Sequence, residues 1–548
     1  MKTRKLFSRI MAAIFAMILV LGMSMTALAD SNVTINGTKA SGNVTAYKLF
    51  DRTEQTVGGK KAVAYKLSAA YEGYFTQTGK AGYGKTGDAL SEAAYNYVAG
   101  LGEDAKKTEL SEFAADMWKW ISENSVAADK SVPAIADKTT MDLPAGYYLI
   151  FPEGAATLKD DHKSPAILWD VDGTSAVEFK LKSEYPTLKK EVKTTEGGEF
   201  GPAGTVKPGD TVTYTITSKV PDVSGYTKGY KFVIKDTLSD GLTFNASSVS
   251  VKIGATALDE ANYELKNDET VAPNTFTLEL KNMTKEEGGK QVPNTDIYPT
   301  GAAITLTYTA TVNEKAVTGI DPNTNKAKVE YSNKPGEDGT GESEEVKANV
   351  YTFEFGIYKY SLKNDAVADG DTNRNPLEKA LFKLYADADH KTEITLVDVS
   401  GTDKIYRQAK EGETGTADYI VTDSTGKVTI KGLKEGTYYL AETKAPDGFN
   451  KLVGDIEVKI DNLVYDTADT TKLISYDVTY KMPGETAGKT TTVNASDSKA
   501  EIPVLNRAGS VLPSTGGMGT VMFTIAGAAI IGLMLVSSLV SKKRKRSE

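Results

Sequence analysis

The sequence of 548 residues contains no cysteine, and it holds only two histidines, His162 and His390. The missing thiol excludes cysteine nucleophiles, disulfides, and zinc or iron–sulfur sites built on cysteine. Two histidines also leave little material for a histidine-based catalytic triad. The net charge is −9, which argues against nucleic-acid binding because no cationic excess is available to displace counterions.

Long apolar runs are found at the two ends of the chain. Residues 1–29 combine a basic start, an apolar run and the small-x-small sequence Ala27-Leu28-Ala29, which is the pattern of a cleavable secretory signal. The protein is therefore predicted to be exported. Since it has no cysteine, something other than disulfides must stiffen it outside the cell.

The C-terminal segment 509–548 contains an apolar stretch from Val521 to Val540, followed by the basic end SKKRKRSE. About twenty apolar residues are long enough to span a bilayer as a helix, and basic residues favour the cytoplasmic side. The segment is therefore predicted to be a transmembrane helix with a basic tail.

The pentapeptide LPSTG stands just before this apolar stretch. In this position and order it resembles the LPxTG cell-wall sorting signal of Gram-positive surface proteins. The resemblance implies that a sortase cleaves one peptide bond here and hands the threonyl group to an amine. The residues of the implied cleavage site are Leu512, Pro513, Thr515 and Gly516, with the cut between the last two.

Between its ends the chain is rich in threonine, valine and tyrosine that alternate with polar residues, in segments separated by Gly, Pro, Asn and Asp clusters. This pattern predicts a mainly β protein made of immunoglobulin-like antiparallel sandwiches. One segment, 108–124, carries apolar residues at helical spacing and predicts an amphipathic helix inserted into the first domain.

Linker-like sequences at 183–186 and 333–351 divide the mature chain into three predicted modules. We refer to them as the first module (30–182), the middle module (183–350) and the third module (351–508).

Three strands of the third module each end an apolar face with a polar residue: Lys359 in FEFGIYKYSL, Glu442 in YYLAETK and Asn506 in EIPVLNRAG. Because an unpaired buried charge is costly, the three side chains are expected to meet. Desolvation lowers the pKa of a lysine and raises that of a carboxyl. A neutral Lys359 could then attack the Asn506 carboxamide while Glu442 shuttles protons, giving an isopeptide bond and ammonia.

The middle module repeats this pattern with Lys190, Asp236 and Asn333, each on an apolar strand face. In the first module, alignment of LPAGYYLIFPEG with LKEGTYYLAETKAPDGF puts Phe151 opposite Glu442, so no cross-link is expected there. Strand parity by itself favours a simpler interpretation, in which these groups form buried salt bridges or hydrogen bonds and no covalent bond.

With these motifs the chain, over nearly its whole length, resembles the sortase-assembled LPxTG backbone (major) pilins of Gram-positive bacteria. YYLAETKAPDGF looks like the E-box of that family, and VLNRAG carries the expected asparagine. The resemblance implies an N-terminal pilin domain, a fimbrial isopeptide-forming middle domain and a collagen-binding-protein B-type (prealbumin-like) third domain. It favours isopeptide bonds Lys190–Asn333, assisted by Asp236, and Lys359–Asn506, assisted by Glu442.

The family also implies a polymerisation lysine at the end of the first domain, in a Tyr-Pro-Lys context. Here Lys182 takes that place in VEFKLK, with Leu181 where the proline would stand, so the motif is incomplete. Lys180 and Lys189 are alternatives for the same role.

The resemblance implies a structural major pilin subunit, joined head to tail by a pilin-specific sortase and combined with minor pilins. A housekeeping sortase would attach the polymer to peptidoglycan, and the surface pilus would support adhesion. The alternatives are a wall-anchored monomeric adhesin or a minor tip or base pilin; a secreted enzyme would need a catalytic constellation that the sequence lacks. No cofactor or metal is expected, because the calcium-like sequence starting at Asp369 lacks the turn glycine and the bidentate glutamate.

Overall fold

A computed structural model describes residues 30–40, 42–57, 60–101, 107–155, 165–181, 185–267, 275–333, 338–399, 404–497, 499–509 and 518–544. The predicted signal peptide 1–29 lies outside the described residues. The described chain is mainly β, arranged as three successive two-sheet modules, which confirms the predicted fold class.

The first module has a three-stranded sheet in the order β5-β1-β8 and a five-stranded sheet in the order β3-β2-β6-β7, in which β4 also pairs with β2. Its strands are β1 Ser31–Asn36, β2 Asn43–Val57, β3 Lys60–Leu67, β4 Lys130–Pro133, β5 Lys138–Leu143, β6 Gly146–Pro152, β7 Ile167–Val171 and β8 Val177–Lys180. Its α-helices are α1 Glu72–Phe75, α2 Gly87–Gly100 and α3 Lys107–Glu123.

The predicted amphipathic helix is α3, which confirms the helical insertion in the first module. Its buried face packs against the outer side of the five-stranded sheet, and Trp118 stacks on Phe151 with ring centroids 3.7 Å apart. Helix α2 was not predicted from the sequence, although Leu90, Ala94 and Val98 line its buried face at four-residue intervals.

The middle module packs a seven-stranded sheet, in the order β10-β22-β20-β12-β16-β15 with β21 beside β20, on a five-stranded sheet in the order β14-β13-β19-β11-β9. Its strands are β9 Lys189–Lys193, β10 Ala203–Thr205, β11 Thr211–Lys219, β12 Phe232–Leu238, β13 Leu242–Ile253, β14 Thr256–Ala257, β15 Tyr263–Asn267, β16 Thr275–Leu280, β17 Thr284–Glu287, β18 Lys290–Pro293, β19 Ala303–Val312, β20 Asn323–Ser332, β21 Thr340–Glu342 and β22 Val346–Tyr351.

The third module packs a seven-stranded sheet, in the order β24-β23-β30-β27-β26-β28 with β35 beside β23, on a six-stranded sheet in the order β29-β25-β31-β32-β33-β34. Its strands are β23 Phe353–Leu362, β24 Arg374–Pro376, β25 Leu381–Tyr385, β26 Leu396–Asp398, β27 Ile405–Gln408, β28 Thr416–Ala417, β29 Ile420–Val421, β30 Lys427–Leu433, β31 Gly436–Lys444, β32 Ile456–Tyr465, β33 Leu473–Lys481, β34 Lys489–Asn494 and β35 Ala500–Leu505.

The junction between the middle and third modules is short and well bonded. Strand β22 ends at Tyr351, and β23 begins two residues later. Between them Thr352 is fully buried, its hydroxyl donates to the Leu433 carbonyl at 3.1 Å, and its carbonyl accepts from the Gly319 amide at 2.8 Å. Three ion pairs also bridge the two modules: Lys347–Asp469, Lys410–Glu314 and Lys434–Asp210.

After the third module, residues Met518–Arg544 form a continuous helix, α4. Among the described residues, no helix combines the length and hydropathy that a membrane span requires, so the predicted transmembrane helix is not confirmed.

Candidate functional site

The structure brings together the three predicted polar residues of the third module. Strand β35 runs parallel to β23, and the backbone amide of Asn506, just past β35, donates to the Tyr360 carbonyl at 2.9 Å. This pairing places the Asn506 carboxamide beside Lys359, whose Nζ donates to Asn506 Oδ1. The Lys359 Nζ also lies 3.0 Å from Glu442 Oε1, which accepts from Asn506 Nδ2 at 2.9 Å. Amine, carboxyl and carboxamide therefore contact one another.

This cluster is closed off from water. The side chains of Lys359 and Glu442 have no exposed surface, and the Lys359 Nζ lies 5.6 Å from the centroid of the Phe382 ring. The other carboxylate oxygen of Glu442 is held by the Leu452 backbone amide at 2.7 Å, which fixes the orientation of the carboxyl group.

Burial lowers the pKa of Lys359 to about 8, although the charge of Glu442 acts in the opposite direction. At pH 7 roughly one such amine in ten is neutral, whereas an ordinary lysine with a pKa near 10.4 is neutral in fewer than about one molecule in a thousand. Only the neutral amine has a lone pair for attack on a carbonyl carbon. The site therefore raises the population of the reactive form.

The middle module contains a second cluster, which bridges its two sheets. Lys190 of β9 contacts Asp236 of β12, forming an ion pair with no side-chain exposure on either partner. Tyr308 of β19 accepts from Lys190 Nζ at 2.7 Å and donates to Asp236 Oδ2 at 2.7 Å. Asn325 of β20 completes the cluster, because its Nδ2 donates to the Tyr308 hydroxyl at 2.7 Å.

Burial moves both charged groups of this cluster toward their neutral forms. It lowers the pKa of Lys190, and it raises the pKa of Asp236 against the opposing effect of the lysine. A proton moved from Lys190 to Asp236 would leave an amine nucleophile beside a carboxylic acid. The middle module therefore offers the same chemistry as the third.

The structure does not bring Asn333, the predicted amide, into the middle cluster, although Lys190 and Asp236 do meet. Strand β20 pairs with β12 so that Asn325 lies opposite Leu238 and Ala327 opposite Asp236. Asn333 lies eight positions further along the chain, which is about 26 Å on an extended strand. There it packs against the first module, where a Cβ on Gly154 would lie 3.3 Å from the Asn333 Cβ.

Two residues of the middle cluster, Asn325 and Tyr308, were not predicted from the sequence, where each had only a weak signal. Asn325 in β20 and Asn333, one residue past its end, have the same alternation parity, so only the register with β12 separates them. Tyr308 lies on the buried face of β19 among apolar residues, and a tyrosine in such a position is ordinarily interpreted as a core residue.

The calcium-like sequence near Asp369 is occupied by a cation from the chain itself. Arg374 donates from Nε to Asp369 Oδ1 at 2.8 Å and from Nη1 to Asp371 Oδ1 at 3.2 Å. Within the described ranges, no group of three or more Asp, Glu or His side chains is arranged to hold a metal ion.

Comparison with protein families matches three segments of the chain. Residues 208–335 match the Gram-positive pilin backbone subunit 2, Cna-B-like domain, and residues 366–472 match the prealbumin-like fold domain. Residues 506–548 match the LPXTG cell wall anchor motif. The chain therefore contains a Gram-positive pilin backbone domain, a prealbumin-like domain and a cell wall anchor motif. It is therefore a structural pilus subunit anchored in the cell wall.

Similar proteins come from streptococci. The trypsin-resistant surface T6 protein of Streptococcus pyogenes serotype M6 is 26% identical over 413 residues, covering 66% of this pilin and 70% of that protein. Among solved structures, the T6 backbone pilin of serotype M6 is 16% identical with a TM-score of 0.46, covering 89% of this chain and 100% of that one. The group B streptococcus pilus 2b backbone protein is 27% identical with a TM-score of 0.37, and the match covers 59% of this chain and 99% of that one.

The residues predicted for polymerisation are only partly described in the pilin structure. Lys182 and the sorting residues Leu512, Pro513, Thr515 and Gly516 lie outside the described residues. Of the two alternatives, Lys180 is exposed at the end of β8, and Lys189 is exposed at the start of β9 with its Nζ 2.8 Å from Glu191 Oε1.

In the first module of the pilin, the position that corresponds to Glu442 is Phe151. Its ring is buried and stacked on Trp118, in an apolar layer under helix α3. We predict that tryptic mapping of residues 30–182 recovers linear peptides only, because no carboxyl stands at this position. A branched peptide within that range would contradict the prediction.

The assignment of Asn325 is tested by a pair of substitutions on one strand face. We predict that Asn325→Ala removes the cross-link of the middle module, because Asn325 is the amide that donates to Tyr308, whose hydroxyl also accepts from Lys190. The intact mass should then be one ammonia below the mass calculated for that variant. Asn333→Ala should stay two ammonias below its calculated mass. The opposite pattern would restore Asn333 as the reactive amide.

The role of Glu442 is tested by Glu442→Gln, which keeps the shape of the side chain but removes its ability to carry a proton. We predict that the cross-link of the third module is lost, while that of the middle module remains. A cross-link closing a loop of this length removes roughly 5 kcal/mol of unfolded-state entropy. The third module should therefore melt roughly 10–20 °C lower in calorimetry.

The matched control for this variant is Glu393→Gln, which removes the exposed ion pair with Lys383 and should leave both cross-links in place. A Glu442→Gln protein with the wild-type mass deficit and melting temperature would show that the carboxyl is not needed.

Proposed function

We propose that this pilin subunit is polymerised head to tail by a pilin-specific sortase, through an amide bond between the Lys182 amine and the Thr515 carbonyl. The sortase would cleave Thr515–Gly516 and hold Thr515 as an acyl-enzyme until the amine of the next subunit displaces it. The match of residues 506–548 to the cell wall anchor motif and of 208–335 to a pilin backbone domain supports this proposal. The subunit thus acts as a sortase substrate and not as an enzyme.

We further propose that the pilin forms two internal isopeptide bonds by itself, Lys190–Asn325 and Lys359–Asn506. In each, the lysine Nζ attacks the Asn carboxamide carbon, an amide bond forms, the bond to Nδ2 breaks and ammonia leaves. The observation that carries this proposal is the assembly of amine, carboxyl and carboxamide inside two water-excluded cores. The three groups contact one another directly in the third module, and in the middle module the Tyr308 hydroxyl joins them. A fixed approach of this kind replaces a bimolecular encounter with an intramolecular step.

The two bonds would carry tension through the subunit. Force would enter near Lys182, pass from Lys190 to Asn325, continue along residues 326–358, pass from Lys359 to Asn506 and leave at Thr515. The hydrogen-bonded sheets between the linked residues would then be bypassed. Such a subunit suits a surface fibre with identical pilins as neighbours, minor pilins at its ends and a housekeeping sortase joining its base to peptidoglycan.

The polymerisation lysine is tested in cells that make Lys182→Ala pilin. We predict that high-mass ladders on a denaturing gel disappear while wall-anchored monomer remains, because the acyl-enzyme then lacks its docked amine. Lys180→Ala and Lys189→Ala are the matched controls and should keep the ladder.

If ladders persist in Lys182→Ala cells and Thr515 is found joined to Lys180 or Lys189, the residue assignment is wrong while the polymer remains. If wild-type cells give no ladder, the polymerisation proposal itself is wrong.

A further inference from the structure

Tyr308 lies at the centre of the middle cluster and contacts all three of its reacting groups. Its hydroxyl accepts from Lys190 Nζ and from Asn325 Nδ2 and donates to Asp236 Oδ2, each at 2.7 Å. These three bonds use the full capacity of a hydroxyl group, one donor and two acceptor sites. No other side chain in the described structure is hydrogen-bonded to all three of these groups.

We propose that Tyr308 is a catalytic residue of the middle module, where its hydroxyl relays a proton from Asp236 to the departing amide nitrogen of Asn325. This inference rests on the proposed Lys190–Asn325 bond and adds a residue to its mechanism.

The third module shows why the middle module needs a relay. There Glu442 Oε1 accepts directly from Asn506 Nδ2 at 2.9 Å, so the carboxyl can protonate the leaving nitrogen without help. In the middle module the carboxyl belongs to an aspartate, which is one methylene shorter. The Tyr308 hydroxyl stands between this carboxyl and the Asn325 amide and spans the distance that the shorter side chain leaves.

The surroundings of Tyr308 keep its hydroxyl protonated and fixed. Burial and the nearby Asp236 carboxyl raise its pKa well above the ordinary range, so it works as a neutral proton donor and acceptor. Its ring is held among Tyr214, Phe244 and Phe276, with centroid distances of 5.6, 5.5 and 5.1 Å. Because the ring is packed on several sides, the hydroxyl keeps its place between the reacting groups.

The relay balances in protons and bonds. A proton first moves from Lys190 to Asp236, and the neutral Nζ attacks the Asn325 carbon to give a tetrahedral intermediate. Tyr308 then donates its proton to the amide nitrogen and takes the carboxyl proton of Asp236 in return. The carboxylate so formed accepts the proton that the new nitrogen bond must lose. The intermediate collapses, ammonia leaves, and Tyr308 and Asp236 are again protonated.

Two buried oxygen atoms without hydrogen-bond donors favour the protonated form of the Asp236 carboxyl. Asp236 Oδ1 and Asn325 Oδ1 are both buried, and neither has a hydrogen-bond partner among the described residues. Two buried acceptors without a donor are costly. Protonation of Asp236 would remove the negative charge from this poorly partnered carboxyl. On Oδ2 the proton would lie in contact with the Tyr308 hydroxyl that relays it.

The test follows formation of the cross-link after synthesis of the full chain, by pulse-labelling and quantification of branched peptides. In Tyr308→Phe, we expect the Lys190–Asn325 peptide to form at least about 100-fold more slowly, the usual contribution of a general acid. The Lys359–Asn506 peptide of the same molecules should form at the wild-type rate and serves as an internal reference.

Tyr298→Phe is the control for loss of a buried tyrosine hydroxyl, since the Tyr298 hydroxyl lies away from the cluster, 2.9 Å from the Asn262 carbonyl oxygen and 2.7 Å from the Lys281 carbonyl oxygen. It should leave the rate unchanged. In the double variant Tyr308→Phe with Asp236→Glu, the longer carboxyl should reach the Asn325 amide as Glu442 reaches Asn506, and the rate should recover.

A wild-type rate in Tyr308→Phe would overturn the relay. So would an equal slowing in Tyr298→Phe, or no recovery in the double variant, because both results would assign Tyr308 a packing role only. A wild-type chain without any Lys190–Asn325 peptide would contradict the cross-link and the relay together, whereas the first three results leave the cross-link intact.

Discussion

The burial of a lysine amine inside a β-sandwich is the constraint on which this structure depends. An isolated charge in such a core is expensive, so each amine must meet a carboxyl, lose its proton or react. Asp236 supplies a carboxyl partner for Lys190, and Glu442 supplies one for Lys359. Burial also lowers the pKa of both amines. A neighbouring asparagine completes the set. The same burial that would destabilise an unreacted core thus prepares the amine to react.

The two clusters lie at different positions along the strands of their modules. The position of each cluster decides how much of its module the proposed bond would enclose. In the third module, β23 and β35 are the first and last strands, so a Lys359–Asn506 bond encloses nearly the whole module. In the middle module, Asn325 belongs to β20, and β21 and β22 follow it. Residues 326–358 would therefore carry load outside both bonds. Within this stretch, buried Thr352 and the Lys347–Asp469 ion pair hold the junction between the modules.

Much of the fold and of the site could be predicted from the sequence, because alternation in a strand tells which face a residue occupies. It predicted the β class, and it predicted buried positions for two lysines, two carboxyls and one amide, which the structure confirms as positions: Lys190, Lys359, Asp236, Glu442 and Asn506. It could not give Asn325, since Asn325 and Asn333 share a face and only pairing between β20 and β12 distinguishes them. It could not reveal Tyr308 either, because its role comes from three partners on three other strands. Long-range register is what strand periodicity leaves open.

Covalent bonds within the two buried clusters are what the proposed function of this subunit requires. The most direct measurement is the intact mass of the wild-type protein without its signal and sorting segments, followed by sequencing of its branched peptides. We expect a mass two ammonias below the calculated value, with branches joining Lys190 to Asn325 and Lys359 to Asn506. A mass equal to the calculated value, with linear peptides over all four residues, would contradict it and leave the clusters as buried salt bridges and hydrogen bonds.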